Sequence, residues 1–394
     1  MLQLTTITRR VDPHLAIDLY DPEAELLLLH FGPQHPSTHG VFRMDLYLDG
    51  EIVVKVVPYV GYLHRAVEKL CEKLTYVQIT PVVDKNDYVA PMTNEQAINM
   101  VFETLLGIEV PRRARWIRTV FAELQRIASH LLWLGTFSLD LGGALGGGST
   151  VFLHCFRERE LILDLFEDVT GARFHYNTHT VGGNRHDIPA GWSAKVKSAL
   201  DVIESRVPEY VSMTLGNRIF QDRTIGVGVL DGELALELGI TGPILRASGV
   251  DHDLRRDAPF HAYDEVAVNV VTSSGGDCFA RAEVRLGELR ESIRIVLAMI
   301  DGIPEGPINA GRAIKQPAQC KIPAGQSYTA IETSRGELGT YVIADGSPNA
   351  YRLKIRPPSL HALSALPYIL PGATVSDAVA ILGSLDPIMG EVDR

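Results

Sequence analysis

Ile117-Arg-Thr-Val-Phe-Ala-Glu-Leu-Gln-Arg-Ile-Ala-Ser-His-Leu131 decides how this chain is read. Ile117, Val120, Phe121, Leu124, Ile127, Ala128 and Leu131 recur at spacings of three and four, which places them on one face of an α-helix. Arg118, Gln125, Arg126 and Ser129 fall largely on the other side. Working outward, Pro111 suits the first turn of this helix. An upstream helix is expected to open on a capping box at Thr93-x-x-Gln96 and to stop near Gly107. Downstream, residues 152–169 read as a helix ending at Gly171, and another follows Pro189 to about Tyr210. A long helix over 279–300 is stopped by Asp301-Gly302-Ile303-Pro304.

Both flanks of this helical region read as β. Residues 25–30 form a short apolar run and 41–48 alternate loosely. Asp49-Gly50 is a hairpin turn, with 52–57 as the return strand. Gly32-Pro-Gln-His-Pro-Ser-Thr-His-Gly40 carries two prolines and two glycines, which excludes a regular element and makes it a loop bearing His35 and His39. Toward the other end, 328–333, 339–344 and 351–356 look like three strands, with Asp345-Gly346 as a turn. Two short helical stretches and the tail Ser384-Leu-Asp-Pro-Ile-Met-Gly-Glu-Val-Asp-Arg394 follow. The expectation is an α+β chain with an N-terminal β region (1–60), a central helical bundle (61–325) and a C-terminal β/α region (326–394). No repeat or low-complexity linker separates the three, so they are expected to form one interlocked unit.

Composition narrows the function classes. The chain has 394 residues, with 37 Lys+Arg against 48 Asp+Glu, and its net charge of −11 argues against a general nucleic-acid binder. Cys71, Cys155, Cys278 and Cys320 lie far apart, with neither C-x-x-C ligand spacing nor the look of a secreted disulfide framework. A reducing compartment is expected. The N-terminus lacks the apolar stretch of a signal peptide, and the richest apolar runs are far shorter than the roughly 20 residues that cross a bilayer.

Several familiar sites are excluded by their own chemistry. His35 and His39 have the spacing of helical zinc ligands, but Pro36 lies between them and no H-E-x-x-H glutamate follows. The stretch Gly142-Gly-Ala-Leu-Gly-Gly-Gly148-Ser-Thr has glycine where a phosphate loop needs lysine, and it follows a helix instead of a strand. Phe156-Arg-Glu-Arg-Glu160 reads as a solvated or interface face. Asp140 is either a C-terminal turn residue or a buried partner for a histidine. His175, His179 and His186, around Gly182-Gly183, read as hydrogen-bonded turn histidines. Taken alone, the residues describe an acidic α+β protein with a polar, histidine-bearing loop near its N-terminus.

Eight motifs in order go further. They are Gly32-Pro-Gln-His-Pro-Ser-Thr-His-Gly40, Gly61-Tyr-Leu-His-Arg65, Glu123-Leu-Gln-Arg-Ile-Ala-Ser-His130 and Phe156-Arg-Glu-Arg-Glu160, then Leu245-Arg-Ala-Ser-Gly249, Ser334-Arg-Gly-Glu-Leu-Gly339, Tyr351-Arg-Leu-Lys-Ile-Arg356 and Ser384-Leu-Asp-Pro-Ile-Met-Gly390. Over nearly the whole chain the set resembles the D subunits of NADH-quinone oxidoreductase, peripheral-arm components of respiratory complex I. That family is similar in fold to the large subunit of nickel–iron hydrogenases. The hydrogenases hold their metals with two C-x-x-C pairs, whereas here Ile388 and Met389 follow Asp386-Pro387 and no cysteine is near. A nickel–iron centre needs soft thiolates, so the resemblance implies the frame without the metals and a cavity left for a quinone.

The resemblance implies site residues as well. His39 and Tyr88 are the expected hydrogen-bond and proton donors to the two quinone carbonyls, and Asp140 is the carboxylate that orients His39. Arg65 and His175 are expected beside a tetranuclear iron–sulfur cluster held by the neighbouring small B subunit, where a cation raises the cluster's potential. No metal or cofactor is expected on this chain itself, NAD and FMN belonging elsewhere in the complex. The other implied partners are the C and I subunits of the peripheral arm, the H subunit of the membrane arm and the quinone. The implied location is the cytoplasmic side of the cell membrane, with the complex coupling electron transfer to proton translocation. Two departures stand out: Thr180 occupies a place where the family usually has arginine, leaving His179 or Arg185 to compensate, and the 142–149 stretch is unusually long and glycine-rich. They leave an alternative open, a divergent paralogue that assembles without quinone chemistry. An energy-converting hydrogenase subunit is a further rival, weakened by the missing cysteines.

Overall fold

The computed structural model describes residues 3–7, 26–142, 148–310 and 320–394. Most of the glycine-rich stretch therefore lies outside the described residues. Strands β1 (Gln3–Ile7), β2 (Leu26–Phe31), β3 (Arg43–Asp49) and β4 (Ile52–Tyr59) form an antiparallel sheet in that order. The Asp49-Gly50 turn works as read: Asp49 pairs with Ile52, and Gly50 has a φ of 60°, which the tight turn requires. Leu29, Phe31, Met44, Leu46, Val53 and Val56 are buried and pack this sheet on the helices. One correction falls on the loop between β2 and β3. Despite its prolines it contains a turn of 3-10 helix at Pro36–Thr38, because a proline in the first turn has no N–H to lose.

The helices run α1 (Val67–Cys71), α2 (Tyr76–Val83), α3 (Pro91–Leu106), α4 (Arg112–Asp140) and α5 (Gly148–Thr170). A two-stranded ribbon, β5 (His179–Thr180) and β6 (Gly183–Asn184), precedes α6 (Trp192–Met213). Then come α7 (Arg218–Thr224), α8 (Gly232–Glu237), α9 (Gly242–Ala247), α10 (Leu254–Asp257) and α11 (Cys278–Ile300). The second sheet, β7 (Gly325–Thr333), β8 (Gly336–Ala344) and β9 (Arg352–Arg356), is antiparallel and lies against α3. Four short helices finish the chain: α12 (Pro358–Leu363), α13 (Leu366–Ile369), α14 (Val375–Leu385) and α15 (Met389–Asp393). The architecture is α+β, as expected.

The helix that opened the reading, α4, is longer than its apolar pattern, and it is the axis of the fold, packed against α5, α11 and α14. Its apolar face is buried, yet Arg118, Gln125, Arg126 and Ser129 on the other side are buried too, each at most 1% exposed. Their polar atoms meet partners from distant segments. Arg118 pairs with Glu103 at 2.7 Å, Gln125 donates to the Val89 carbonyl at 3.0 Å, and Arg126 donates to the Glu332 carbonyl at 2.8 Å. A period of 3.6 shows which face is apolar, but not whether the polar face meets water or a second protein layer.

The capping box expected at Thr93 is also corrected. Helix α3 opens three residues earlier, with Ala90 as its cap and Pro91 as its first residue; Thr93 Oγ1 donates to the Ala90 carbonyl at 2.7 Å, and the Gln96 amide donates to the Arg118 carbonyl at 2.9 Å. Boxes occur instead at Thr75, whose N–H donates to the Gln78 side chain at 3.1 Å, and at Thr374, whose hydroxyl accepts from the Asp377 N–H while its own N–H donates to the Asp377 carboxylate. The stop at Gly107 is as read, with Gly107 in the left-handed region.

The ends of the chain hold each other. Val53 N–H donates to the Ala373 carbonyl and Gly372 N–H to the Val53 carbonyl, each at 2.8 Å. The Asp393 carboxylate accepts the N–H groups of Gly61 and Leu63 at 2.7 Å each. One apolar core draws on residues from Leu29 to Val392, so segments far apart in sequence share it. No helix among the described residues is long and apolar enough to cross a membrane.

Candidate functional site

The N-terminal loop is built to present His39. His35 Nδ1 accepts the Ser37 N–H at 3.2 Å, and Thr38 Oγ1 donates to the His35 carbonyl at 2.7 Å, which closes the turn. His39 follows in the left-handed region at φ 49° and swings its ring inward. Its Nε2 lies 3.2 Å from Oδ2 of Asp140, an ion-pair distance off the line of a hydrogen bond. Asp140 ends α4, where the helix dipole disfavours a carboxylate and makes a nearby N–H or cation worth more.

The carboxylate is also boxed in sterically. A Cβ on Gly383 of α14 would meet Asp140 Oδ2 at 2.6 Å. Gly383→Ala is therefore expected to push the carboxylate off His39 and to destabilise the fold by about 1–3 kcal/mol through overpacking. A thermal melt measures the second effect; the first appears as a changed His39 ring environment by NMR. An unshifted His39 resonance would contradict the contact.

Tyr88 arrives from the segment ahead of α3. Asp87 Oδ1 accepts the N–H groups of Val89 and Ala90 at 3.0 Å each, and its Oδ2 pairs with Arg335 Nη1 at 2.7 Å. Arg335 reaches on to Asp386, to its carboxylate at 3.3 Å and its carbonyl at 3.1 Å. One buried arginine thus ties the Tyr88 segment to the Asp386-Pro387 turn. Gly390 permits the close fit: a Cβ there would meet the Asn86 carbonyl at 2.5 Å. Burial, with Asp87 adding to it, pushes the Tyr88 phenol up to about 12, so it remains a neutral O–H donor near neutral pH.

His39 and Tyr88 face one cavity of about 300 Å³. Leu132, Phe174, Pro387 and Ile388 give it apolar walls, and Arg159 and Asp386 add polar edges. A larger open groove of about 620 Å³ between α5 and α6 contains none of these groups. Its Lys195 is already paired with Asp168 at 2.7 Å, and we take the smaller cavity as the site because converging donors and apolar walls meet there.

Arg65 and His175 do not line the cavity; they gather beside it. Arg65 donates to the Lys85 carbonyl and to the Asn86 side chain at 3.2 Å each. His175 Nδ1 lies 3.7 Å from the Asp84 carboxylate, which also meets Lys85 at 3.1 Å. Burial pushes the Asp84 carboxyl up and the His175 imidazole down. Asp84 and Tyr88 are four residues apart, and Phe174 of the cavity wall adjoins His175. The two groups of residues are therefore neighbours.

The loop that carries His175 is anchored from behind. Glu95, wholly buried, accepts the N–H groups of Asn177 at 2.6 Å and His179 at 2.8 Å, and burial pushes its carboxyl up to about 8. His179 has no surface: Asn184 and Gln96 engage its nitrogens, and burial drives it down to about 3, so it is neutral. It does not replace the cation missing at Thr180. Arg185 is exposed, with no ion-pair partner among the described residues.

Phe156-Arg-Glu-Arg-Glu160, read as a solvated or interface face, has Arg157 and Glu160 exposed, but the solvated reading does not hold for Glu158 and Arg159. Glu158 is buried against Tyr210 and Arg157, and Arg159 lines the cavity. A signal was present: Cys155, Arg159, Ile162 and Phe166 fall at helical spacing on the buried stripe of α5, so the arginine stands where an apolar residue belongs. Asp87 and Arg335 were missed for lack of any local signal. Among the described residues no group of His, Cys, Asp and Glu is arranged to hold a metal, and all four cysteines are buried free thiols.

Comparison with known proteins gives a consistent picture. The family described as respiratory-chain NADH dehydrogenase, 49 Kd subunit, matches residues 146–394. The D 2 subunit of the Rhizobium etli NADH-quinone oxidoreductase is 45% identical over 404 aligned residues, covering 96% of this chain and 99% of that protein. The D subunit of the Clostridium beijerinckii enzyme is 47% identical over 377 residues, covering 95% of this chain and all of its own. That of Desulforamulus reducens is 45% identical, with 94% and 99% covered.

Proposed function

Since the chain belongs to the respiratory-chain NADH dehydrogenase 49 Kd subunit family, a component of an NADH-quinone oxidoreductase complex, we propose that it supplies the pocket in which the quinone headgroup is reduced. One observation carries the reading: His39 and Tyr88 face a single apolar-walled cavity, with Asp140 behind the histidine at 3.2 Å. Reduction of a quinone to a quinol takes up two electrons and two protons, and each carbonyl oxygen needs a donor as its negative charge grows. Tyr88 offers a phenol O–H and His39 a ring N–H. Asp140, 3.2 Å from the ring nitrogen, fixes the direction of the ring. The apolar walls hold the ring and keep bulk water from the donors.

The electrons come from an iron–sulfur cluster in the neighbouring B subunit, and NAD and FMN act elsewhere in the complex. Arg65 and Lys85 supply positive charge beside the cavity and His175 a ring N–H, and a cation or N–H donor there stabilises a reduced, more negative cluster. The chain acts in assembly with the B, C, I and H subunits, on the cytoplasmic side of the membrane, and its redox step drives proton translocation. The absence of a membrane-crossing helix among the described residues accords with a peripheral attachment. Thr180 beside a neutral His179 favours a second reading, a paralogue that assembles but does not reduce quinone.

An azido-quinone tests the proposal directly. Photolysis of the assembled complex should label peptides spanning 32–40, 84–90 and 384–390, with unlabelled quinone competing. Competed labelling confined to other subunits would overturn it.

A further inference from the structure

One charge in the cavity has no counterpart among the described residues. Arg159 is 8% exposed and its Nε has no hydrogen-bond partner among them. The two glutamates beside it in sequence are engaged elsewhere, Glu158 by Arg157 and Tyr210, Glu160 by Arg173. The cavity's own carboxylate, Asp386, is held by Arg335, and Asp140 faces His39. What remains near Arg159 is the Tyr176 phenol, which donates to the Arg173 carbonyl at 3.0 Å, the Phe156 ring, whose centre lies 5.8 Å from the guanidinium carbon, and the open space of the cavity. Burial works against this charge and pulls its pKa down. A buried cation without an anion is strongly unfavourable, so an anion entering the cavity gains the interaction that the fold leaves unmade.

We propose that Arg159 makes this cavity a receptor for an anionic ring oxygen, and that it takes the ionised form of a hydroxyquinone ahead of a neutral quinone of the same shape. The inference rests on the reading of the cavity as a quinone site and adds the class of quinone it prefers. The planar guanidinium presents parallel N–H donors, which match two oxygens side by side, one of them anionic. An ionised 2-hydroxy-1,4-quinone places its C2 oxygen, which carries part of the charge, next to the C1 carbonyl oxygen, and its flat ring suits the walls formed by Leu132, Phe174 and Ile388. The binding step forms no covalent bond and moves no electron.

The test uses the assembled complex and two probes, 2-hydroxy-1,4-naphthoquinone, ionised at neutral pH, and its neutral 2-methoxy ether. Each competes against a labelled quinone. In the unaltered complex the hydroxy compound is expected to bind about tenfold or more tightly than the ether, the scale of a charge-assisted hydrogen bond. Arg159→Gln should bring the two to equal affinity by weakening the hydroxy compound alone. Arg159→Lys keeps a charge without the fork and should retain only part of the preference, which covers a failure of the glutamine variant to assemble. An undiminished preference in either variant overturns the proposal, as does equal affinity in the unaltered complex. If neither probe competes there, the quinone-site reading itself falls, a result distinct from lost selectivity.

Discussion

Complex assembled with Tyr88→Phe is expected to reduce quinone at least about a hundredfold more slowly, the usual loss when a positioned proton donor is removed. The substitution deletes one oxygen and leaves the ring in place, so the cavity keeps its shape. Because burial holds the phenol near 12, the donor is present across the neutral range. The loss should therefore not be rescued by raising or lowering pH within that range. His39→Ala is expected to lose a comparable factor and to leave Asp140 without the group 3.2 Å away. In both variants NADH should still reduce the upstream clusters at the normal rate, since those steps precede the headgroup. The measurement is turnover with a short-chain quinone beside the rate of cluster reduction. Undiminished turnover in both variants would remove His39 and Tyr88 from the chemistry.

These two residues also show what a linear sequence can and cannot carry. Long helices and hairpins were legible because their signals are local: a face repeating every three or four residues, an Asp-Gly turn, a glycine past a helix end. The loop bearing His39 was legible through its prolines and glycines, though not its short 3-10 turn. The cavity was not legible from local pattern, because it joins residues 39, 88, 159 and 386 from four separate segments. Only the resemblance linked His39, Tyr88 and Asp140. Arg159 escaped because a mixed-charge helical run ordinarily faces solvent, and here α6 covers one side while the cavity opens on the other. Buried charge is the general blind spot. Charged residues signal surface until their partners are known, and Arg118, Arg126 and Arg335 reach Glu103, the Glu332 carbonyl and Asp87, which lie 15, 206 and 248 residues away.

The same blind spot hides the interaction with the largest expected effect on stability. Arg246 is wholly buried, pairing with Glu288 at 2.8 Å, Glu332 at 2.8 Å and Asp253 at 3.3 Å. Arg255 and Glu123 extend the network, and Tyr263 and Ser292 close it with hydroxyls on Glu123. Arg246→Met fits the volume but leaves carboxylates in the core without their shared cation. It is expected to cost about 3–5 kcal/mol, a large part of a typical domain's stability. The urea midpoint of the purified chain measures it; an unchanged midpoint would mean that Arg255 and His130 carry the network alone.

The pH dependence gives an independent reading of the same variant. In the unaltered protein Arg246 and its neighbours hold Glu288 and Asp253 well below the carboxylate range, although burial opposes this. A depressed carboxylate contributes stability that is present above its unfolded value, about 4, and is lost as pH falls toward the folded value. Glu332 runs the other way, raised by burial despite Arg246. Without the guanidinium, Glu288 and Glu332 both move upward, and a raised carboxylate makes the fold more stable as pH falls through its folded value. The destabilisation caused by Arg246→Met should therefore be greatest at neutral pH and shrink on mild acidification. A deficit independent of pH would show that lost packing, and not stranded charge, accounts for the effect.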